Sequence, residues 1–244
     1  MIYWRTSRDI NLASYRLRCH IPMIQLRKHG IESEVGVGPV TVFAKHWNDD
    51  DFDAAKYVKK QGGRVIYDLC DDHFTGEYSD HYRKMIDLAD VVVVSTCELA
   101  KVVKSETGRE CKVISDPYEY PKAEPKDDNR ARNVLWFGHS ANLPTIAREI
   151  ERLQDRSLLV VSNIEELQGA KVMRWSREAM LHAFAWADVV IIPVGDQRKD
   201  SVKSPNRMVE SIRQGLYVVA NALDAYAPYG MWQGDIQEGL KWLE

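Results

Sequence analysis

Short apolar runs alternate with longer amphipathic segments along most of the chain. Runs such as 2–5, 65–70 and 91–95 are rich in Val, Ile and aromatic residues, which is typical of buried β-strands. Between them lie segments with apolar positions every three or four residues, as in helices, and several end at a glycine. This alternation predicts an α/β protein with parallel sheets covered by helices.

The elements fall into two series. In the first, strands are predicted at 2–5, 40–46, 65–70, 91–95 and 111–115, and helices at 13–29, 52–60, 79–89 and 97–107. In the second, strands are predicted at 134–137, 158–161, 171–173, 187–194 and 217–220, and helices at 145–153, 177–186 and from 205 onward. We predict a Rossmann-like domain at 1–120, a Pro-rich and charged linker at 121–132, and a second Rossmann-like domain at 133–244.

The segment from Ala187 to Ala220 carries the clearest chemical pattern. It reads as a strand, a polar loop, a helix and a second strand, and ligands of such sheets bind at the carboxyl ends of strands, where this loop lies. Lys203 precedes the helix, for which Ser204 is the predicted N-cap and Pro205 the predicted first residue. Backbone amides, the helix dipole and the lysine charge together favour a bound phosphate.

The same helix is predicted to have a polar face. Its members recur at three- and four-residue spacing: Lys203, Asn206, Arg207 and Glu210. A carboxylate one turn inside a phosphate-binding helix can accept hydrogen bonds from the two hydroxyls of a ribose, so the pattern fits a nucleotide. An ordinary solvated helix with an Arg–Glu pair is the alternative that these residues leave open.

This segment resembles the donor-binding region of GT-B glycosyltransferases, and most closely that of the large retaining family that uses nucleotide sugars. The resemblance rests on Asp-Val-Val-Ile-Ile-Pro-Val at 188–194, Lys-Ser-Pro-Asn-Arg at 203–207, Glu210, Gly215 and a closing Val-Val. It implies two Rossmann-like domains with parallel sheets facing across a cleft. It also implies that Glu210 holds the donor ribose and that Lys203, with Arg207 next, holds the diphosphate. The family's other Glu, eight positions earlier, is replaced here by Val202.

Two further groups of residues lie at predicted strand ends. Gly138 and His139 follow the first strand of the second domain, where a glycine lets the backbone approach a phosphate or sugar. Asp71, Asp72 and His73 follow the third strand of the first domain and are candidates for the base that deprotonates an acceptor hydroxyl. A cation site and an acidic turn that caps a helix are the alternatives for this second group.

The first loop and helix of the chain supply candidate acceptor contacts. In the resembled family this region faces the donor phosphates or the acceptor and is often rich in glycine, whereas residues 6–12 contain none. Arg5 and Arg16 are the charged residues that can replace such a contact, and Tyr15 lies beside them.

Composition and charge limit the compartment and the ligands that we expect for this protein. The formal net charge of −3 gives no overall attraction to nucleic acid, and the four cysteines lack the spacing of a zinc site or a disulfide framework. No apolar run approaches the ~20 residues of a membrane span, and the N-terminus lacks the pattern of a signal peptide. We therefore expect a cytoplasmic protein without a metal or a tightly bound cofactor.

The function that these observations predict is sugar transfer. A nucleotide-diphosphate sugar, with a UDP-sugar as the expected donor, would pass its sugar with retention to a hydroxyl of a glycan, a lipid-linked sugar or a hydroxymethylated DNA base. At 244 residues the chain is short for a GT-B enzyme, so the likeness is to a compact, phage-type member. A non-transferase protein that binds nucleotides or sugar phosphates, such as an epimerase or an inactive relative, is the alternative.

Overall fold

The computed structural model describes residues 1–44, 48–126 and 131–243. The last two residues of the predicted strand at 40–46 and part of the predicted linker at 121–132 lie outside the described residues. By their contacts, Met1–Pro117 and Ser201–Ser204 form a first compact unit, and Tyr118–Asp200 and Pro205–Glu244 form a second.

The first unit is a parallel sheet with helices between its strands. Its strands are β1 (Ile2–Arg5), β2 (Ser33–Val35), β3 (Val40–Ala44), β4 (Arg64–Leu69), β5 (Val91–Val94) and β6 (Lys112–Val113). Its helices are α1 (Ala13–Tyr15), α2 (Ile21–Lys28), α3 (Asp49–Lys60), α4 (Ser79–Leu88) and α5 (Cys97–Thr107), and a π-helical segment, Arg16–His20, joins α1 to α2. Among the described residues the strand order is β2-β1-β3-β4-β5-β6.

The second unit repeats this architecture. Its strands are β7 (Asn133–Phe137), β8 (Ser157–Ser162), β9 (Lys171–Arg174), β10 (Val189–Ile192), β11 (Tyr217–Ala220) and β12 (Trp232–Gln233). Its helices are α6 (Leu143–Ile150), α7 (Arg177–Trp186), α8 (Arg198–Ser201), α9 (Asn206–Arg213) and α10 (Ile236–Trp242). The described strands run in the order β12-β11-β10-β7-β8-β9, and each neighbouring pair is parallel.

The sequence explains the central strands directly. All four residues of β10 are fully buried, as expected for an apolar β-branched strand covered on both faces. Helices α5 and α7 start at the predicted residues because Thr96 and Ser176 cap them, each accepting a backbone N–H with its hydroxyl. The predicted α/β fold with parallel sheets is confirmed.

The chain that enters the second unit lies against the end of α9 and the turn that follows it. Within the stretch predicted as a linker, Ala123 N–H donates to Arg213 at 2.9 Å and Lys126 N–H donates to Gly215 at 3.1 Å. The Lys126 ammonium also donates to carbonyls at the end of α7, among them that of Ala185 at 2.7 Å. Residues up to Lys126 are therefore an integral part of the second unit in this structure.

Gly215 makes this close approach possible. Its φ of 73° is left-handed, which suits the residue after a helix. A Cβ at Gly215 would overlap the carbonyl oxygen of Glu124 and lie 2.8 Å from the Cα of Pro125. The glycine is thus required for two reasons, the backbone conformation and the space.

Alanine substitutions at Gly62 and Gly215 distinguish the requirement for a left-handed backbone from the requirement for space. Gly62 ends α3 with a φ of 75°, and nothing lies within 4 Å of a Cβ placed there. Gly62→Ala should cost roughly 1–2 kcal/mol from backbone conformation alone. Gly215→Ala should cost about 1–3 kcal/mol more, because the methyl group overlaps the segment at 124–125. Urea unfolding measures both, and equal losses would show that residues 118–126 do not pack on α9 as described.

Candidate functional site

The strand order of the second unit places two loops side by side. The chain passes from β7 outward through β8 and β9, then returns to β10 on the other side of β7. Strands β7 and β10 are parallel neighbours, with Val134 opposite Val189. Their carboxyl ends therefore meet at the point where the order reverses, which is where open α/β sheets bind ligands. Gly138 and His139 leave one strand there, and the loop to α9 leaves the other.

Arg207 lies at the end of β7. Its Nη1 donates to the Phe137 carbonyl at 3.4 Å, and a Cβ at Gly138 would lie 3.6 Å from the same nitrogen. That Cβ would also lie 3.1 Å from the Cη2 of the buried Trp136, so a side chain at Gly138 would crowd the indole while only touching Arg207.

Glu210 lies one turn further along α9 and is buried, with 4% of its surface exposed. Its Oε1 accepts the backbone N–H of Glu119. Its Oε2 is also buried and makes no hydrogen bond with any described residue. Buried carboxylate oxygens are normally hydrogen-bonded, so this oxygen is suited to a ligand that brings its own donors.

Burial alters the acidity of Glu210. Loss of solvation raises the pKa of its carboxyl above the ordinary value of 4.5, and the backbone N–H groups of Glu119 and Tyr120 counter part of that rise. The ionised form is therefore less stable in the fold than in water.

The start of α9 differs from the prediction. The helix begins at Asn206 and its N-cap residue is Pro205, so the predictions that Ser204 is the N-cap and Pro205 the first helical residue are wrong. Asn206 Oδ1 instead accepts the Arg207 N–H at 2.8 Å. Because Lys203 precedes the helix, the prediction that it shares a helical face with Arg207 and Glu210 is also wrong. The role of Ser204 and Asn206 in donor binding stays a prediction.

Lys203 pairs with Asp71 inside the first unit. Its ammonium lies 2.8 Å from Asp71 Oδ1, and the backbone before it is fixed because Thr96 Oγ1 donates to the Val202 carbonyl at 3.0 Å. The residue predicted for the donor phosphate and a predicted acceptor-side carboxylate thus contact each other. Val202, which stands where the resembled family has a Glu, is buried in the core of this unit.

The rest of the acidic turn after β4 is well packed. Asp72 is buried, and its Oδ1 accepts the Phe74 N–H at 3.1 Å, as in an Asx turn. The His73 ring stacks on Tyr82 at 4.8 Å, and its Nε2 lies 3.9 Å from Asp71. Within the described part of the chain, no three His, Cys, Asp or Glu side chains are grouped so that they could hold a metal ion. The catalytic role of Asp71, Asp72 and His73 stays a prediction.

The predicted acceptor residues make contacts within the first unit. Arg5 pairs with the buried Asp51 at 2.7 Å, and the buried Arg16 donates to the Ile10 carbonyl at 2.9 Å. The Tyr15 ring lies 5.9 Å from His20. None of these contacts tests an acceptor role.

The first unit contains a buried ion-pair network that was not predicted from the sequence. Arg18 in the π-helical segment donates to both oxygens of Asp68 at 2.9 Å and to Asp116 at 3.1 Å. Burial raises the pKa of Asp68 to about 6, and the charge and hydrogen bonds of Arg18 limit that rise. The network ties the first helix to the end of β4 and to the last residues of the first unit.

Hydrogen bonds hold the loop after β7 to the end of β8. Asn163 Oδ1 accepts the Ser140 N–H at 2.7 Å, and Asn163 Nδ2 donates to the Ser140 hydroxyl at 3.1 Å. His139 is exposed, and its Nδ1 accepts the Ala141 N–H at 3.2 Å. The loop is thus ordered, with the imidazole at its surface.

Tyr226 is the residue near this site that sequence reasoning did not identify. It follows β11 in a 3₁₀ segment, Asp224–Tyr229, and is 1% exposed; burial raises the pKa of its phenol, and the nearby Arg207 charge limits that rise. The sequence gives no signal for this proximity beyond an aromatic residue in a short polar segment.

Comparison with known proteins identifies the class of fold. No protein-family model matches the chain, and no curated protein matches it. Among solved structures it is similar to an alpha-glucosyltransferase in complex with UDP-glucose and DNA containing an abasic site, with a TM-score of 0.56, 10% identity and coverage of 90% of this chain and 79% of that one. It is also similar to sucrose-phosphate synthase from Thermosynechococcus elongatus, with a TM-score of 0.53, 12% identity and coverage of 91% of this chain and 64% of that one.

The chain thus spans just under two thirds of the sucrose-phosphate synthase. These likenesses confirm the predicted fold: two Rossmann-like units on parallel sheets, of the GT-B glycosyltransferase type. None of the described helices is both long enough and apolar enough to cross a bilayer.

The buried carboxylate of Glu210 allows a test by stability. Below pH 4.5 the Glu210 carboxyl is protonated in both the folded and the unfolded protein. Because its pKa is raised in the fold, the free energy of unfolding of the wild type falls as the pH rises above that range. Glu210→Gln removes this penalty, so the variant should be at least as stable as wild type at pH 7, with an advantage that shrinks toward pH 4. Thermal unfolding across this range measures the effect, and Glu165→Gln in an exposed loop is the control. A Gln variant less stable than wild type at pH 7 would contradict the buried, destabilising carboxylate.

Proposed function

We propose that the chain is a glycosyltransferase that moves a sugar from a nucleotide-diphosphate sugar to a hydroxyl acceptor. The observation that carries the proposal is Glu210 Oε2, a buried carboxylate oxygen with no hydrogen bond to any described residue. It lies one helical turn from Arg207, at the reversal of strand order in a Rossmann-like sheet. A cation and a carboxylate at this separation match a phosphate followed by a ribose.

The proposed donor contacts divide by chemistry. Arg207 binds the diphosphate and stabilises the negative charge that grows on it as the sugar leaves. Glu210 accepts the ribose hydroxyls at Oε2, while the Glu119 N–H fixes its other oxygen. Gly138, which has no side chain, lets the backbone come close to the donor beside Arg207. Asn206 provides a side-chain amide at the same place. Lys203 remains a proposed second phosphate contact, because an ammonium has three donors and its ion pair with Asp71 need use only one.

The expected donor is a UDP-sugar. The similar alpha-glucosyltransferase structure contains UDP-glucose, which supports this choice at the level of the fold. Retention of configuration and the identity of the base, with Asp71 as the candidate, are parts of the proposal that rest on the resemblance and on position after β4.

Donor binding is tested by calorimetry and thermal shift with UDP, GDP, dTDP, ADP and CMP. One nucleoside diphosphate should stabilise the wild type. Glu210→Gln should weaken its binding by about tenfold to a hundredfold, the worth of hydrogen bonds to a charged group. It should also remove the preference for a ribose over a 2′,3′-dideoxyribose, because that preference depends on the carboxylate.

Glu165→Gln, on an exposed loop, is the matched control and should bind like wild type. Lys203→Ala should reduce donor use in sugar-transfer assays. If no nucleoside diphosphate binds, the non-transferase alternative, an epimerase-like or inactive relative, replaces the proposal.

A DNA base carrying a hydroxymethyl group is the acceptor that a specific observation favours, since the similar alpha-glucosyltransferase is described in complex with DNA. We expect radiolabelled glucose to pass from UDP-glucose to duplex DNA with hydroxymethylcytosine but not to unmodified DNA of the same sequence. The yield should fall as salt rises, because phosphate contacts release counterions. Labelling of a glycan or lipid-linked sugar alone would assign the other acceptor class.

A further inference from the structure

Arg177 is the first residue of α7, and its side chain is exposed. A positive charge there opposes the helix dipole, which favours carboxylates at a helix N-terminus, so Arg177 does not stabilise the helix that it starts. Its guanidinium carbon lies 5.9 Å from the centre of the Tyr120 ring, and its Nη2 donates to the Glu119 carbonyl at 3.5 Å. Within the described part of the chain, no carboxylate lies within ion-pair distance of Arg177, so its charge is not neutralised there.

The backbone of Glu119 connects this guanidinium to the candidate ribose site. Its N–H donates to Glu210 Oε1 on α9, and its carbonyl accepts from Arg177 on α7. The carboxylate and the guanidinium therefore lie on either side of a single residue. The bond from Arg177 is longer than the about 2.7–3.2 Å of an ordinary hydrogen bond, so little is lost when the guanidinium turns to another acceptor.

The topology of the sheet places both helices at the same edge. All the strand pairs of this unit are parallel, so α7 after β9 and α9 after β10 both begin at the carboxyl ends of strands. Met180 of α7 and Met208 of α9 belong to one apolar cluster, so the two helices cover the same face. Residues 119–120 lie between them, since they contact Glu210 on one helix and Arg177 on the other.

We propose that Arg177 is a specificity-determining residue that binds the nucleobase of the donor. A nucleotide with its diphosphate on Arg207 and its ribose on Glu210 extends its base past Glu119 toward α7. The guanidinium there donates to a carbonyl oxygen of the base, an acceptor that uracil, thymine and guanine carry and adenine lacks. This inference rests on the proposed function, because it assumes that Glu210 binds the ribose.

Arg177→Met is the direct test, because it removes every donor and keeps an unbranched apolar chain against the Tyr120 ring. Wild type should bind UDP, GDP or dTDP more tightly than ADP. In the variant, affinity for the preferred diphosphate and for its nucleoside should both fall by about tenfold, as for one hydrogen bond from a charged group. Binding of ADP should not change. Calorimetry measures the diphosphates, and competition against the preferred diphosphate measures the nucleoside.

Arg152→Met is the matched control and should bind every ligand like wild type. Arg152 is also exposed, but it follows α6 and pairs with Glu149 and Asp235. Both variants should unfold at the temperature of the wild type, because neither side chain is part of the core.

The pattern of losses decides the role of Arg177. A loss shared by all four diphosphates but absent from the nucleoside would show a phosphate contact and overturn the assignment to the base. Equal losses for every ligand, ADP included, would show a merely structural role. Unchanged binding in Arg177→Met, or a wild type that prefers ADP, would overturn the inference as well. Failure of the wild type to bind any nucleoside diphosphate would instead overturn the proposed function itself.

Discussion

The second unit is built around a carboxylate that is buried at a cost. Glu210 is buried, and the backbone N–H groups of Glu119, which Oε1 accepts, and of Tyr120 offset part of the cost. The bond from Glu119 fixes the segment that enters the unit against α9, and the same segment then requires a glycine at Gly215 and places Lys126 at the end of α7. Residues such as this, which reduce stability and remain incompletely paired, are concentrated at functional sites.

Elements that depend on interactions local in the sequence were predicted correctly, and those that depend on contacts between distant residues were not. Strands such as β10 are β-branched and fully buried, and helices such as α5 carry their own caps, so local pattern was sufficient to predict them. Strands β2 and β12 have three and two residues, too few for a periodicity, and their existence depends on pairing with β1 and β11. The segment at 121–126 was predicted as part of a linker from its Pro and charged residues, but its backbone bonds to α9 and to Gly215 are tertiary contacts that composition does not encode.

The same reasoning applies to the site. The relation between Arg207 and Glu210 is one helical turn, which spacing alone reveals. The partner of Lys203 lies 132 positions away in the chain, and that of Arg18 lies 50 positions away, so neither ion pair has a local signal. Tyr226 lies near Arg207 because β11 lies beside β10 and returns the chain to the same edge of the sheet. Local sequence therefore reveals candidate polar residues, but the topology of the fold determines which of them come into contact.

The partners of the cations separate structural roles from binding roles. In the first unit Arg5, Arg18 and Lys203 each contact a carboxylate, and two of those carboxylates, Asp51 and Asp68, are buried. An anion that approaches such a cation competes with a partner that already carries a full negative charge. Arg207 instead donates to the Phe137 carbonyl, a neutral group that leaves the charge of the guanidinium intact. An electrostatic argument thus favours Arg207 over Lys203 as the main contact of a phosphate, although the sequence pattern alone ranks them in the opposite order.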